Sequence, residues 1–386
     1  MKCPNCQEKQ DKQKSEIGMS VRIATFNAEN LMQRFDFSGF KNIQRMDRGL
    51  QMLDIKDRSH FETLEQARVV AHTDDTLQLT ALAIADTRAD IVCLQEVENM
   101  AALDAFENAY LHRMIGRGYK SKYLIEGNDG RGIDVCIMMR EETDTGEKIE
   151  FIAAKSHAKH TYADFGLHNA ALNEVGSEAD EKIFRRDCLE VDVKVGNRRL
   201  TLFVVHFKSM GARKEDVDGR SWTMPIRIAE AKATRHIIEQ KFGKGKTANK
   251  RWLICGDMND YFSRIKVDGS QHSGFSFEYE LTESCGIDPL VAGDFSYNLS
   301  NRLPDMEQWT LYHSGRTERH LCQLDYILAS PALADRNPKA VPEIIRSGQP
   351  FRTPFPPGQE SVRYPRTGWD RPKASDHCPV VVELYI

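Results

Sequence analysis

Several short apolar runs in this chain end in acidic, amide or histidine side chains, and this recurrence constrains the fold more than any other feature. Residues 253–261 read LICGDMNDY, so Asp257 and Asn259 follow directly on an apolar run and a glycine. A run of this length with polar boundaries is typical of a buried β-strand. The same arrangement places Asn27 after VRIATF, Glu96 after IVCLQ, and His206 after LTLFVV. We therefore expect strand ends that carry polar side chains towards one place.

Helical patterns alternate with these runs. Apolar residues recur at helical spacing after Asp74, and Thr73 or Asp74 is available as the helix cap. A second helix is predicted from Pro225, which suits a first helical turn, to about Phe242. Gly196 and Asn197 separate two alternating runs and predict a β-hairpin. The order of elements predicts an α/β chain in which residues 33–73 form a polar, irregular insertion.

The length and composition of the chain limit the classes of protein to which it can belong. A chain of 386 residues could hold two domains, but one large α/β domain is also ordinary. The hydrophobic content of 40%, the charged content of 28% and the formal net charge of -4 exclude a disordered or strongly basic protein. No apolar stretch approaches the ~18 to 20 residues of a membrane helix, and the N-terminus lacks the apolar core of a signal peptide. A cytoplasmic protein without a membrane partner is expected.

The nine cysteines are expected to be free thiols, because several lie inside apolar runs where they act as small hydrophobic residues. Cys3 and Cys6 form a CPNC pair with the spacing of half a zinc ribbon. A structural zinc needs four ligands, and no second such pair follows. We predict residues 1–19 to be a disordered leader and residues 20–386 to be one domain, with zinc at the leader the less favoured alternative.

Two irregular segments allow more than one interpretation. Residues 156–183 contain His157, His160, His168 and Asp164, which could ligate a metal, but a mobile surface loop is favoured because nothing there fixes the geometry. Residues 336–373 carry eight Lys and Arg against three acids, a local charge of about +5, interleaved with aromatic residues. That composition suits phosphate backbones and stacked bases. A Pro-rich solvated loop is the alternative.

The polar residues at the strand ends point to a particular chemistry. Oxygen donors without a thiolate or imidazole majority suit Mg²⁺ or Mn²⁺, and this chain offers them as Asn27, Glu96, Asp257, Asn259 and Asp376. Magnesium held by few carboxylates usually binds substrate phosphate oxygens as well. His206 and His377 titrate near neutrality and can donate to a phosphoryl oxygen, while Asp325 could orient a histidine. Each acid alone could be a cap or an ion-pair partner, so their joint occurrence is the signal.

Seven motifs resemble those of the endonuclease/exonuclease/phosphatase superfamily, which has the DNase-I-like fold. In chain order they are ATFNAENLM, LQEVEN, GNDGRGIDV, VVHFKS, GDMND, LDYILAS and SDHCPVVVEL, and together they span roughly residues 21–386. Their wording is most similar to the bacterial nuclease branch. The resemblance implies a four-layered α/β sandwich, in which two packed mixed β-sheets are flanked by helices and the active site lies at one edge.

The resemblance also implies roles for individual residues. Glu96 and Asp376 would be ligands of Mg²⁺ or Mn²⁺, assisted by Asn27. Asp257 would orient or deprotonate the attacking water, and Asn259 would hold the scissile phosphate. The remaining catalytic groups would be His377 on the phosphate, hydrogen-bonded to Asp325, and His206 on the phosphate or leaving group.

Three further residues are candidate substrate contacts: Arg131, Asp134 and Lys208. Arg131 stands near a position where many members use a tyrosine on the phosphate, and Asp134 could orient a histidine. The expected function is a nuclease acting on DNA, with RNA or small phosphate esters also possible. A phosphatase or phospholipid-type phosphodiesterase is the first alternative, and a catalytically inactive nucleic-acid-binding protein is the second.

Overall fold

A computed structural model describes residues 19–31, 58, 74–211, 218–315 and 318–386. Nearly all of the predicted leader, including Cys3 and Cys6, lies outside the described residues. So do the predicted insertion, apart from Arg58, and the predicted cap Thr73. The statements that follow concern the described residues.

The strands in chain order are β1 (Ser20–Leu31), β2 (Ile91–Val97), β3 (Ser121–Leu124), β4 (Asp134–Met139), β5 (Ile149–Lys155), β6 (Cys188–Val195), β7 (Arg198–His206), β8 (Trp252–Asp257), β9 (Ser263–Ser270), β10 (Gly274–Leu281), β11 (Tyr297–Asn298), β12 (Leu311–Ser314), β13 (Arg319–Cys322), β14 (Asp325–Ala329), β15 (Glu343–Ile344) and β16 (Val380–Tyr385). The α-helices are α1 (Asp74–Thr87), α2 (Met100–Phe106), α3 (His112–Ile115), α4 (Tyr162–Phe165), α5 (Ala170–Glu174), α6 (Gly219–Phe242), α7 (Asp288–Val291) and α8 (Pro331–Arg336). A π-helical turn, Glu107–Leu111, joins α2 to α3.

Two six-stranded mixed sheets pack face to face. Their strand orders are β15-β16-β1-β2-β4-β3 and β11-β14-β8-β7-β6-β5. Side chains alternate across each strand, so Leu253 and Cys255 of β8 enter the core between the sheets, whereas Trp252 and Ile254 pack under α6. Helix α1 covers the outer face of the other sheet. The predicted four-layered α/β sandwich is therefore confirmed.

A third sheet was not predicted from the sequence. Its four strands follow the order β10-β9-β13-β12. Strand β10 is only partly covered, and its Phe275 and Phe277 pack with Trp309 on a small core that includes Cys378. This sheet lies beside the end of the main sandwich, because Leu311 of β12 forms a bridge with His377.

Helix α6 begins earlier than the sequence analysis predicts. It starts at Gly219, where the Asp218 side chain accepts hydrogen bonds from the backbone N–H groups of Arg220 and Ser221. Pro225 therefore lies inside the helix and not at its first turn, so that prediction was wrong. The proline removes one backbone bond, to the carbonyl of Ser221, and the aspartate cap together with the buried apolar face stabilises the helix despite this loss.

The predicted surface loop at residues 156–183 is a folded segment with two short helices, α4 and α5. Tyr162 and Leu172 are fully buried against α6. The Nε2 atom of His157 lies 3.0 Å from Glu190 Oε2, and His168 Nε2 lies 2.9 Å from the carbonyl of Ser177. His160 Nδ1 also lies 3.7 Å from Asp164 Oδ2, so all three histidines have internal partners, and the described residues bring no metal-type cluster together here.

Glu190 should make this region sensitive to acid. Burial raises its pKa, but His157 and Lys241 outweigh this effect and lower the pKa to about 2. Because the folded-state pKa is depressed, the stabilisation is present above the unfolded pKa near 4.5 and is lost as pH falls towards 2. We expect Glu190→Gln to cost on the order of 2 kcal/mol at pH 7 and well under ~1 kcal/mol at pH 2. Urea unfolding at both pH values measures this, and an equal loss at each would contradict it.

The described cysteines and helices bear on two further expectations. Seven cysteines lie in the described residues, and all seven are buried free thiols. None of the helices in the described ranges combines the length and apolarity needed to cross a membrane.

Candidate active site

The register of the second sheet brings three of the predicted residues side by side. Strands β7 and β8 are parallel, and His206 pairs with Asp257 where both strands end. Strand β14 runs antiparallel to β8, and its first residue, Asp325, is the partner of Asp257 on the other side. Strand pairing alone therefore aligns an imidazole and two carboxylates across one edge of the sheet.

Gly256 allows this close arrangement. A Cβ atom at this position would lie 1.9 Å from the carbonyl oxygen of Val205, so only glycine fits against the neighbouring strand. The chain then turns sharply, with Asn259 in the left-handed region at a φ of 51°. Asp257 Oδ1 accepts the backbone N–H of Asn259 at 2.9 Å, and this bond fixes the turn.

The first sheet supplies the groups on the opposite side. Asn27 near the end of β1 pairs in register with Gln95 of β2, one residue before Glu96. Glu96 itself has a φ of 64°, and its Oε2 atom accepts the backbone N–H of Asn30 at 2.9 Å. The two edges meet because Asn27 Nδ2 donates to Asp257 Oδ2 across the sandwich at 3.0 Å.

Asp257 is the centre of the cluster. Its Oδ2 atom also accepts the amide of Asn259 at 2.9 Å and lies 3.4 Å from His206 Nε2. The side chain is almost fully buried. Burial outweighs the opposing field of His377 and raises the pKa of Asp257 to about 7. A carboxylate with a pKa near neutrality is suited to take up a proton.

The two histidines are tuned in opposite directions. Burial lowers the pKa of His377, but the carboxylates of Asp325 and Asp257 outweigh it and hold the pKa well above the ordinary range. Its Nδ1 atom lies 2.8 Å from Asp325 Oδ2, which also accepts the hydroxyl of Thr310. Burial and nearby cations, Arg186 first, hold the pKa of His206 well below its ordinary value. The pKa values of the two imidazoles are thus shifted in opposite directions, a division typical of acid and base roles.

Glu96 and Asp376 form the part of the site best suited to a divalent cation. Burial, and then the field of Asp376, raises the pKa of Glu96, as expected for two carboxylates near each other. Burial alone would raise the pKa of Asp376, yet Lys373 and His377 keep it lowered, so this acid is ionised. Crowded oxygen donors at the cleft fit Mg²⁺ or Mn²⁺. Asn27 offers Oδ1, which already accepts the N–H of Glu29 at 3.0 Å.

A second grouping, of Asp257, Asp325 and His377, also has ligand atoms within 4.8 Å of one another. His377 Nδ1 is already hydrogen-bonded to Asp325, and the amides of Asn27 and Asn259 bind Asp257. Most ligand atoms of this grouping are thus already hydrogen-bonded to protein groups, whereas Glu96 and Asp376 place two like charges at the cleft. We therefore favour the Glu96 and Asp376 side for a cation.

The three candidate substrate contacts have different surroundings. Arg131 lies at the cleft, paired with Asp129 and 3.8 Å from Glu96 Oε1. Lys208 also lines the cleft. Asp134 is buried under it, and its Oδ1 atom accepts the backbone N–H of Gly127 at 2.7 Å. The expectation that Asp134 orients a histidine was wrong, because its carboxylate holds the loop before β4.

Three charged residues of the cleft, Asp129, Arg185 and Arg186, were missed by the sequence analysis. Arg186 precedes β6 and donates from Nη1 to the carbonyl of Phe207, while its Nε atom lies 2.8 Å from Asp129 Oδ2. Asp129 belongs to the GNDGRGIDV motif, so the motif contained a usable signal. Arg186 stands in FRRD, which has no distinctive pattern, and only the fold brings it to the cleft.

The basic aromatic segment at residues 336–373 is largely occupied with its own structure. Arg346 lies over Trp309 at 4.3 Å, and Arg363 lies over Phe355 at 3.8 Å. Arg352 pairs with Asp370, Arg366 pairs with Asp75, and Arg371 and Lys373 both pair with Glu29. Most basic side chains of this segment therefore already have acidic or aromatic partners within the fold. This weakens the prediction that the segment binds phosphates.

These side chains surround one cleft of about 600 Å³. The residues that line it include Asn27, Glu96, Arg131, His206, Lys208, Asp257, Asn259, Asp376 and His377. Asp325 stands behind His377, and Asp134 stands behind the loop that contains Arg131. The predicted set is thus brought together, with these two in supporting positions.

A four-layered sandwich with such a cleft at the edge of its sheets is the DNase-I-like fold. The family model described as Endonuclease/Exonuclease/phosphatase family matches residues 67–377, and this protein belongs to that family. Members generally hydrolyse phosphodiester bonds. No curated protein matches the chain.

Solved structures are similar in fold at low identity. Truncated TDP2 of Caenorhabditis elegans is 11% identical with a TM-score of 0.48, and the alignment covers 95% of this chain and 98% of that one. The human Nocturnin catalytic domain with bound sulfate is 12% identical with a TM-score of 0.49, covering 95% and 94%. Beta toxin of Staphylococcus aureus is 12% identical with a TM-score of 0.45, covering 94% and 99%. No function is taken from these similarities.

Proposed function

We propose that this protein is a divalent-metal-dependent nuclease that hydrolyses phosphodiester bonds of DNA. The observation that supports this most is the placement of Asp257 between His206 and His377, 3.4 Å and 3.8 Å from their Nε2 atoms, in the same cleft as Glu96 and Asp376. Hydrolysis needs a group that accepts a proton from water and a group that stabilises charge on the phosphate. This cluster offers both within one small volume.

In the proposed reaction, Asp257 orients a water molecule and takes its proton as the water oxygen attacks phosphorus in line. His377, kept protonated by Asp325, donates to a non-bridging oxygen on which charge develops. His206 faces the phosphate or the departing oxygen, which leaves as its bond to phosphorus breaks. Asn259 has its Nδ2 group engaged with Asp257 and the carbonyl of Phe207, so contact with the phosphate would require one of these bonds to be released.

Glu96 and Asp376, with Asn27 beside them, would hold Mg²⁺ or Mn²⁺, which when bound would supply further stabilisation of phosphate charge. Arg131 would contact the scissile phosphate, since its guanidinium lies 3.8 Å from Glu96 at the cleft. Its pairing with Asp129 leaves a guanidinium that is nearly half exposed to solvent.

Glu96→Gln should weaken the binding of Mn²⁺ by at least tenfold, because one of the two crowded carboxylates loses its charge. Titration calorimetry on the unreacted protein measures this without any substrate. Glu126→Gln is the matched control, since Glu126 is an acid near the cleft that does not line it. Equal Mn²⁺ affinity in the wild-type protein and Glu96→Gln would move the proposed cation site away from Glu96.

The activity itself is tested with purified protein incubated with plasmid, single-stranded and abasic DNA, with RNA, and with small phosphate mono- and diesters. Each substrate is offered with Mg²⁺, with Mn²⁺ and with EDTA. We expect metal-dependent cleavage of DNA. Turnover of phosphate monoesters or phospholipid headgroups alone would replace the nuclease proposal by a phosphatase or phospholipid-type activity. Metal-independent DNA binding without turnover of any substrate would favour an inactive binding protein.

A further inference from the structure

The cleft is chemically asymmetric. On one side of Asp257 the sheet continues to β14, and there Met210, Leu311 and Leu324 pack together as an apolar wall. On the other side it continues to β7 and β6, and there Arg185, Arg186 and Lys208 line the cleft. Arg131, from the loop before β4 of the first sheet, is a fourth cation of the lining and shares Asp129 with Arg186. The scissile phosphate at Asp257 and His377 would thus have a positively charged wall on one side only.

A buried carboxylate holds Arg185 and Lys208 next to each other by accepting hydrogen bonds from their backbone N–H groups. Glu230 of α6 is fully buried. Its Oε1 atom accepts the N–H of Arg185 at 3.0 Å, and its Oε2 atom accepts the N–H of Lys208 at 2.7 Å. The carboxylate is thereby engaged with two backbone groups, and both residues line the cleft.

The Lys208 ammonium is poorly compensated. Its Nζ atom donates to the carbonyl and hydroxyl oxygens of Ser209, at 3.0 and 3.2 Å. Among the described residues no carboxylate forms an ion pair with it, whereas Arg131 and Arg186 share Asp129 and Arg185 pairs with Glu181. Burial, and then the field of Arg186, lowers the pKa of Lys208 to about 8. A half-buried cation in a field of like charge is stabilised when an anion arrives.

We propose that Lys208, flanked by Arg185, forms a subsite for a second phosphate: the internucleotide phosphate next to the one that is cleaved. This inference rests on the proposed function and narrows its substrate class to polynucleotides with at least two phosphodiester groups. A lysine acts on phosphate as a point charge on a flexible stem, and Arg185, held by Ser177 and Glu181, adds a guanidinium of fixed position.

Thymidine oligonucleotides that lack terminal phosphates test the subsite, because the dinucleotide contains one phosphate and the trinucleotide contains two. In the wild-type protein we expect kcat/KM to be at least tenfold higher for the trinucleotide than for the dinucleotide. Lys208→Met should reduce that ratio to threefold or less. Lys244→Met, a change at an exposed lysine away from the cleft, should leave the ratio at its wild-type value.

Binding to a single-stranded 12-mer in EDTA gives an independent measurement. The slope of log affinity against log salt concentration should become shallower by about 0.7 in Lys208→Met, which is the change expected when one phosphate contact to a single strand is lost. A wild-type ratio below threefold overturns the subsite, and so does an equal loss on both oligonucleotides. If the wild-type protein cleaves no DNA, the proposed function fails, and the salt slopes alone then decide the subsite. Equal slopes overturn it.

Discussion

Asp257→Ala is expected to lower kcat for phosphodiester hydrolysis by about 10⁴-fold, at the upper end of what acid–base groups contribute. Asp257 accepts hydrogen bonds from the amides of Asn27 and Asn259 and lies between His206 and His377. The substitution removes the carboxylate proposed to receive the proton of water. It also leaves the amides of Asn27 and Asn259 without the acceptor that fixes their positions. Loss of both functions in one substitution explains the large effect.

The measurement is single-turnover cleavage of the best substrate found for the wild-type protein, at saturating metal. Asp257→Asn keeps the shape of the side chain and should be nearly as inactive, because an amide cannot take up the proton. Asp335→Ala, at an exposed acid of α8, is the matched control and should retain full activity. A fall of less than tenfold in both Asp257 variants would show that another group accepts the proton.

Asp325→Asn is expected to reduce kcat by about 10²- to 10³-fold although Asp325 does not line the cleft. Its Oδ2 atom holds His377 Nδ1 at 2.8 Å, and its charge keeps that imidazole protonated. Asparagine can retain the position of the ring but not the charge. Because both residues act through the same imidazole, His377→Ala and the double variant should differ in kcat by less than threefold.

The free energy of unfolding provides a second measurement on the pair of Asp325 and His377. Among the described residues, His377→Ala leaves the fully buried Asp325 carboxylate with only Thr310 as a side-chain partner, and a broken buried pair of this kind costs about 3–5 kcal/mol. Adding Asp325→Asn to His377→Ala removes the uncompensated charge and should restore part of the lost stability. Urea unfolding of the two single variants and the double variant measures this. Additive losses in kcat and in stability would contradict a shared role.

Local sequence was informative wherever a strand led directly into its functional residue. The β6–β7 hairpin turns at Gly196 and Asn197 as predicted, and β8 delivers Asp257 and Asn259 from the apolar run that first indicated a site. Helix α6 was less well predicted, because the cap at Asp218 and the buried face outweigh the local preference of Pro225. Asp134 was placed correctly on its strand, but its partner, the N–H of Gly127, comes from a loop whose path the sequence did not indicate.

The segment at residues 336–373 illustrates what composition cannot determine. Its charge of about +5 is a property of the sequence, but the partners Glu29, Asp75 and Trp309 come from distant parts of the chain. A basic residue is available to a ligand only if the folded chain does not already use it. Two of the four cations that line the cleft, Arg185 and Arg186, stand in an undistinguished stretch of sequence.

The sequence by itself determined the alternation of strands and helices, the family resemblance and the residue types at each strand end, because these depend on neighbours along the chain. Tertiary structure decided which of those groups face one another and in what charge state. The pKa of the same imidazole is raised at His377 by two buried carboxylates and lowered at His206 by burial and nearby cations. Burial and opposing charge depend on residues that meet only when the sheets pack, so no local pattern contains that information.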